Sequence, residues 1–155
     1  MERMAKEAEA DLDGEVPVFI GVLNGAFMAV AGFVKHYTKP CEVSFVKLAS
    51  YEGTETTGSV KQLIGLGQSL EGRSVVIIED IVDTGNTVQE LKKIFEGQNV
   101  KQLKIATLFF KPEAYTKNIP LDYIGFEIPN KFIVGYGLDY DGLGRNLPEV
   151  YQLHS

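Results

Sequence analysis

Three carboxylates, Glu79, Asp80 and Asp83, fall within five positions of the stretch "VVIIEDIVDTGNTVQEL", residues 75–91. Four apolar residues precede them; Thr84, Gly85, Asn86 and Thr87 follow, and then a helical pattern begins. Acids this close repel one another unless a cation or polar ligand compensates them. A turn such as "DTGNT" at the start of a helix aims backbone N–H groups outward, and these bind phosphate without basic side chains. Gly85 allows close backbone approach, and Thr84 and Thr87 add hydroxyl donors. The chemistry that suits these residues is the holding of a phosphorylated ligand, with a divalent cation supplying positive charge. A plainer account is a solvated loop with an Asp N-cap, or with Thr84 or Thr87 capping the helix. The crowding of acids after a buried strand weighs against it.

Other motifs with chemistry fail. No G-x-x-x-x-G-K-[ST] occurs, so the turn is not a P-loop. "GYGLDY" carries Tyr140 where a dinucleotide fingerprint needs its third glycine. His36 and His154 are isolated, and with Cys41 as the single cysteine there is no zinc pattern.

Elements must carry the acids to a common edge. "VPVFIGVL" (16–23), "SVVIIED" and "LKIATLFF" are apolar runs of strand length; "CEVSFVKLAS" (41–50) alternates, and "KQLIGLG" reads as a returning strand. Residues 1–12, "FMAVAGFVKHY" and "TVQELKKIFEG" have helical spacing, with Gly97 placed to end the last. "LDYIGFEIP" and a tail rich in Gly, Tyr and Asp complete the chain. Strands apolar on both sides that alternate with helices predict an α/β domain with a parallel sheet covered on both faces. Such sheets bind ligands at the carboxyl ends of their strands, where "VVIIED" delivers Glu79 and Asp80. The first helix and the last 40 residues or so break this rhythm and are expected to form a small hood. "YEGTETTGSV" (51–60) is polar, rich in Gly and Thr, and reads as a mobile loop.

The chain has 155 residues, 45% hydrophobic and 23% charged, which fits one globular domain over 1–155. One cysteine fits a reducing cytosol. No apolar stretch approaches the ~20 residues of a membrane helix, and "MERMAKEAEADLDGE" lacks a signal-peptide core. With 15 Lys+Arg against 21 Asp+Glu, the net charge of −6 argues against nucleic-acid binding.

Two acids, two apolar residues and D-T-G-x-T closely resemble the phosphoribosyl-pyrophosphate signature of type I phosphoribosyltransferases. "GVLNGA" (21–26), "SFVKLASYEGTETTGSV" (44–60), "FFKPEAY" (109–115) and "GFEIPNKFIVGYGLDYDGLGRNLPEVY" (125–151) narrow the resemblance to hypoxanthine(-guanine) phosphoribosyltransferases, in family order from Val18 onward. The resemblance implies that family's fold, a mostly parallel central sheet flanked by helices with a hood from the chain ends. It also implies purine salvage: transfer of 5-phosphoribosyl from phosphoribosyl pyrophosphate to N9 of hypoxanthine or guanine, giving IMP or GMP and pyrophosphate, with Mg²⁺ as cofactor.

By that resemblance Glu79 and Asp80 hold the ribose hydroxyls, directly or through Mg²⁺, and Asp83 to Thr87, including Asn86, cradle the 5′-phosphate. Asp83 exchanges a proton with purine N7. Leu23, Asn24 and Gly25 contact pyrophosphate, often through a non-proline cis peptide, and Arg145 reaches it too. Ser50 and Tyr51 begin a lid over 51–60 that keeps water from the reactive ribose. Lys111 donates to the 6-oxo group, Phe132 stacks on the base, Ile133 offers backbone groups, and Asp139 lies near the base and a second Mg²⁺. A cytoplasmic homodimer or homotetramer is implied, with no membrane or nucleic-acid partner. Asn24 and Asn86 stand where some members carry lysine, which removes charge near the phosphates, and the chain starts later than is usual for the family. A xanthine-preferring transferase would share every motif. A nucleic-acid-binding regulator on the same fold is opposed by the charge of −6.

Overall fold

The computed structural model describes residues 1–49, 61–64 and 67–154. The expected lid, with Ser50 and Tyr51, lies outside them. A six-stranded sheet has the order β3-β2-β1-β4-β5-β6, built from β1 (Val18–Leu23), β2 (Glu42–Ala49), β3 (Lys61–Ile64), β4 (Ser74–Val82), β5 (Gln102–Phe110) and β6 (Tyr123–Glu127). All pairings are parallel except that of β3 with β2. The helices are α1 (Glu2–Asp11), α2 (Phe27–Val34) and α3 (Asn86–Glu96).

The four apolar residues of β4 explain why the sheet needs cover on both sides. Val76 and Ile78 join a core with Phe19, Phe33 and Met4, on the face that α1 and α2 cover. Val75 and Ile77 point the other way, into a core with Leu91 and Phe95 of α3. Each of the four is buried, a contribution of roughly 1.5–3 kcal/mol apiece. That two-sided burial fixes β4 at the sheet's centre and brings its carboxyl end beside the end of β1.

Two expectations are refined. α1, assigned with the last 40 residues to a small hood, lies against β6 and α2 with Met4, Ala5, Ala8 and Leu12 inside the main core. The C-terminal segment carries a two-stranded antiparallel ladder, β7 (Ile133–Val134) with β8 (Tyr151–Gln152). Neither Thr84 nor Thr87 caps α3: its N-cap is Gly85 in the left-handed region at φ 91, where a Cβ would strike Tyr115 and Lys117. Gly97 does end α3, in right-handed geometry at φ −69. Among the described residues no helix is long and apolar enough to cross a membrane.

Candidate active site

A cleft of about 520 Å³ opens at the carboxyl ends of β1 and β4. Its wall is the segment from Glu79 through Thr87, faced by Leu23 and Gly25 from the turn after β1 and by Leu48 of β2. Of the residues expected at a phosphate site, Leu23, Gly25, Glu79, Asp80 and the whole "DTGNT" turn line this one cavity. The Leu23–Asn24 peptide is cis.

The first N–H groups of a helix have no intrahelical partner. Among the described residues only a long bond from the Asn86 N–H to Thr84 Oγ1, 3.4 Å, engages one of them locally in α3, which leaves the others without a described partner at the edge of the cleft. The turn is braced from behind by a segment that the sequence did not single out: the N–H and hydroxyl of Thr116 both donate to the Thr84 carbonyl at 3.2 Å. Tyr115 and Lys117 lie against Gly85. No local pattern signals this brace, because 32 residues separate its halves.

Glu79 is only 4% exposed and its Oε1 has no hydrogen-bond partner among the described residues. Burial, and secondarily the charge of Asp80, hold its carboxyl well above the ordinary glutamate value. Burial also raises Asp80, against the opposing pull of backbone hydrogen bonds and Arg145; the charge of Asp139 adds to the rise. The charges of Asp139 and Arg145 thus both reach Asp80, with opposite effects. Arg145 Nη2 stands 3.4 Å from Asp139 Oδ1, and its Nη1 donates to the Gly137 carbonyl at 2.7 Å. Glu79 and Asp80, adjacent carboxyls lining the cleft, are oxygen donors of the kind a hard divalent cation takes. No group of three or more His, Cys, Asp or Glu forms a ready-made cage among the described residues. That donor set matches Mg²⁺, which takes one or two carboxylates and completes its shell with water and substrate phosphates.

Close packing fixes where these groups sit. A Cβ on Gly25 would fall 2.0 Å from Asp80 Oδ2, and one on Gly137 would fall 2.3 Å from the Gly25 carbonyl oxygen. Gly137, at φ 99, is a positioning residue that sequence reasoning missed. In the sequence its "GYG" stands out as a failed dinucleotide fingerprint and as part of the stretch 125–151, neither of which marks this glycine.

Lys111 enters from the neighbouring strand. Its N–H donates to the Val82 carbonyl, extending the β4–β5 ladder by one rung, so the side chain emerges beside Asp83. Lys111 is 7% exposed, and its Nζ lies 3.3 Å from Asp83 Oδ2. A buried ammonium needs such a partner. Asn24, Lys111, Phe132, Ile133, Asp139 and Arg145 are not among the residues that line the cleft. Ile133 is partly buried against the main core, whereas Phe132 is 52% exposed and meets Tyr140 edge to face.

A profile of the phosphoribosyl transferase domain family matches residues 1–141. The chain is 44% identical over 142 residues to the hypoxanthine-guanine phosphoribosyltransferase of Streptococcus agalactiae, covering 91% of this chain and 79% of that one. The crystal structure of a Bacillus anthracis hypoxanthine-guanine phosphoribosyltransferase superposes with a TM-score of 0.92 at 38% identity, covering 99% of this chain and 91% of that one. The Trypanosoma cruzi hypoxanthine phosphoribosyltransferase, in complex with the product IMP, also gives 0.92, at 33% identity, covering 99% and 87%.

Proposed function

The chain belongs to the phosphoribosyltransferase family and, within it, to the hypoxanthine-guanine phosphoribosyltransferases; from that premise we infer how its own residues carry out the reaction. The enzyme transfers 5-phosphoribosyl from phosphoribosyl pyrophosphate to N9 of hypoxanthine or guanine, in purine salvage. The observation that carries the 6-oxopurine reading is the Lys111–Asp83 pair, a buried donor beside a half-exposed acceptor at the edge of a phosphate-binding turn. A 6-oxopurine presents an acceptor oxygen and a titratable N7 on one edge. Lys111 has only donors, so it suits the oxygen and opposes the amine of adenine, and Asp83 is then in place to exchange the N7 proton.

The free N–H groups of the turn, with Thr84 and Thr87, hold the 5′-phosphate without basic side chains. Glu79, with its unpartnered oxygen, accepts from a ribose hydroxyl, which would satisfy an otherwise orphaned buried atom. Leu23, Asn24 and Gly25 present backbone groups to pyrophosphate, and Arg145 adds the one guanidinium of the site. Glu79 and Asp80 are the residues that would hold Mg²⁺ beside the ribose, and Asp139 would lie near a second ion. When bound, the ion neutralises charge on the leaving pyrophosphate. Binding both substrates in one cleft then supplies the proximity that a loosening C1′ bond needs. One cysteine supports a reducing cytosol as the setting.

Steady-state rates with phosphoribosyl pyrophosphate, Mg²⁺ and each of hypoxanthine, guanine, xanthine and adenine test this. Turnover of hypoxanthine or guanine with none of adenine is expected. Efficient adenine turnover would overturn the role given to Lys111, and turnover of xanthine alone would replace the proposed substrates.

A further inference from the structure

We propose that Tyr140 is a positioning residue for the purine: its ring holds Phe132 in the orientation on which the base stacks. The stacking role of Phe132 proposed from the family is the premise on which this rests. The two ring centroids are 5.9 Å apart and the planes cross at 78°. Tyr140 is 56% exposed, much like Phe132. Two large aromatic rings kept mostly in water contribute little to a core, so their pairing calls for another purpose.

Phe132 belongs to none of the buried clusters among the described residues. Its backbone is tied, since the Leu153 N–H donates to its carbonyl at 3.1 Å, and among the described residues the aromatic ring it meets is that of Tyr140. Tyr140 sits on a closed turn. Its N–H and carbonyl both bond to Leu143, at 2.8 and 3.0 Å, and the Asp139 carboxylate closes the same turn by accepting from the Gly142 N–H at 2.8 Å. A ring on a closed turn therefore sets the orientation of the ring that it meets. A perpendicular neighbour can cover at most one face of Phe132, so the other stays open for a flat ligand. Preorganising that face removes an ordering cost from base binding. From the worth of edge-to-face aromatic pairs, the effect should be about two- to tenfold in purine affinity.

Steady-state kinetics on the whole chain, varying hypoxanthine and phosphoribosyl pyrophosphate separately, test the proposal. Tyr140→Ala should raise the KM for hypoxanthine about two- to tenfold while leaving that for phosphoribosyl pyrophosphate unchanged. Tyr140→Phe, which keeps the ring and loses only the hydroxyl, should restore wild-type behaviour. Phe132→Ala should raise the hypoxanthine KM at least as much, and adding Tyr140→Ala to it should change nothing further. An unchanged hypoxanthine KM in Tyr140→Ala, equal damage to both KM values, or additive effects in the double variant would overturn the proposal while leaving the stacking role intact. An unchanged hypoxanthine KM in Phe132→Ala would remove the stacking premise itself.

Discussion

Gly25→Ala should separate the geometry of the site from the stability of the fold. Gly25 does not have a positive φ, so its backbone accepts an alanine without strain. The added Cβ would lie 2.0 Å from Asp80 Oδ2 and 2.7 Å from its Cγ. Real Cβ contacts begin at about 3.0 Å, so the carboxylate must retreat by at least about 1 Å. The obstructing atoms end a short side chain that can rotate away, so the fold survives while the carboxylate leaves its place in the cleft. A misplacement of about 1 Å at a positioned group costs on the order of 10²-fold in rate, or about 2.7 kcal/mol of transition-state stabilisation. The expected result is a fall of that order in kcat/KM for phosphoribosyl pyrophosphate, a higher Mg²⁺ requirement, and a Tm within a few degrees of wild type. Initial rates with phosphoribosyl pyrophosphate and Mg²⁺ varied in turn, alongside thermal melts, read all three. A kcat/KM near that of wild type would refute the role of Asp80 in this position. A large drop in Tm would show that the contact serves the fold instead.

Gly137→Ala should behave in the opposite way. Its Cβ would meet the Gly25 carbonyl at 2.3 Å from a backbone at φ 99, and no side-chain rotation relieves that clash. A loss of roughly 2–4 kcal/mol and about 5–15 °C in Tm is expected by denaturant and thermal melts; an unchanged melt would refute it. Asp83→Asn keeps the shape of the turn but removes the basic carboxylate, so kcat should fall roughly 10²–10⁴-fold with phosphoribosyl pyrophosphate binding largely kept. Near-normal turnover would exclude acid–base work there. Tyr123 is buried, and burial followed by its hydrogen bond to Asp11 pushes its phenol well above the ordinary value of 10.0. The neutral form is thus favoured in the folded state, so this contribution is complete below pH 10 and is lost as pH rises beyond it. Tyr123→Phe should lower stability at pH 7 by roughly 1–2 kcal/mol and flatten the decline above pH 10, as followed by denaturant melts across that range. An unaltered alkaline slope would count against it.

The α/β alternation and the chemistry of the central turn are legible in the chain alone. Both are written in contiguous residues: Val75 to Ile78 must be buried on two faces, and "EDIVDTGNT" places acids, glycine and hydroxyls where a strand gives way to a helix. The cap was not legible even there: threonine is a common cap, and only the crowding of Tyr115 and Lys117 against Gly85 shows that this position needs a glycine. What the tertiary structure decided are the contacts between distant segments. Lys111 reaches Asp83 across 28 positions because β5 pairs with β4 in one register, and Thr116 braces Thr84 across 32. Asp80 is pinned by Gly25, and Gly25 in turn by Gly137. Local patterns report which face of a strand or helix is apolar. They carry no information about which other strand will lie alongside, and it is that pairing, driven by burial on both faces of the sheet, that sets the Lys111 ammonium against Asp83 at the edge of the cleft.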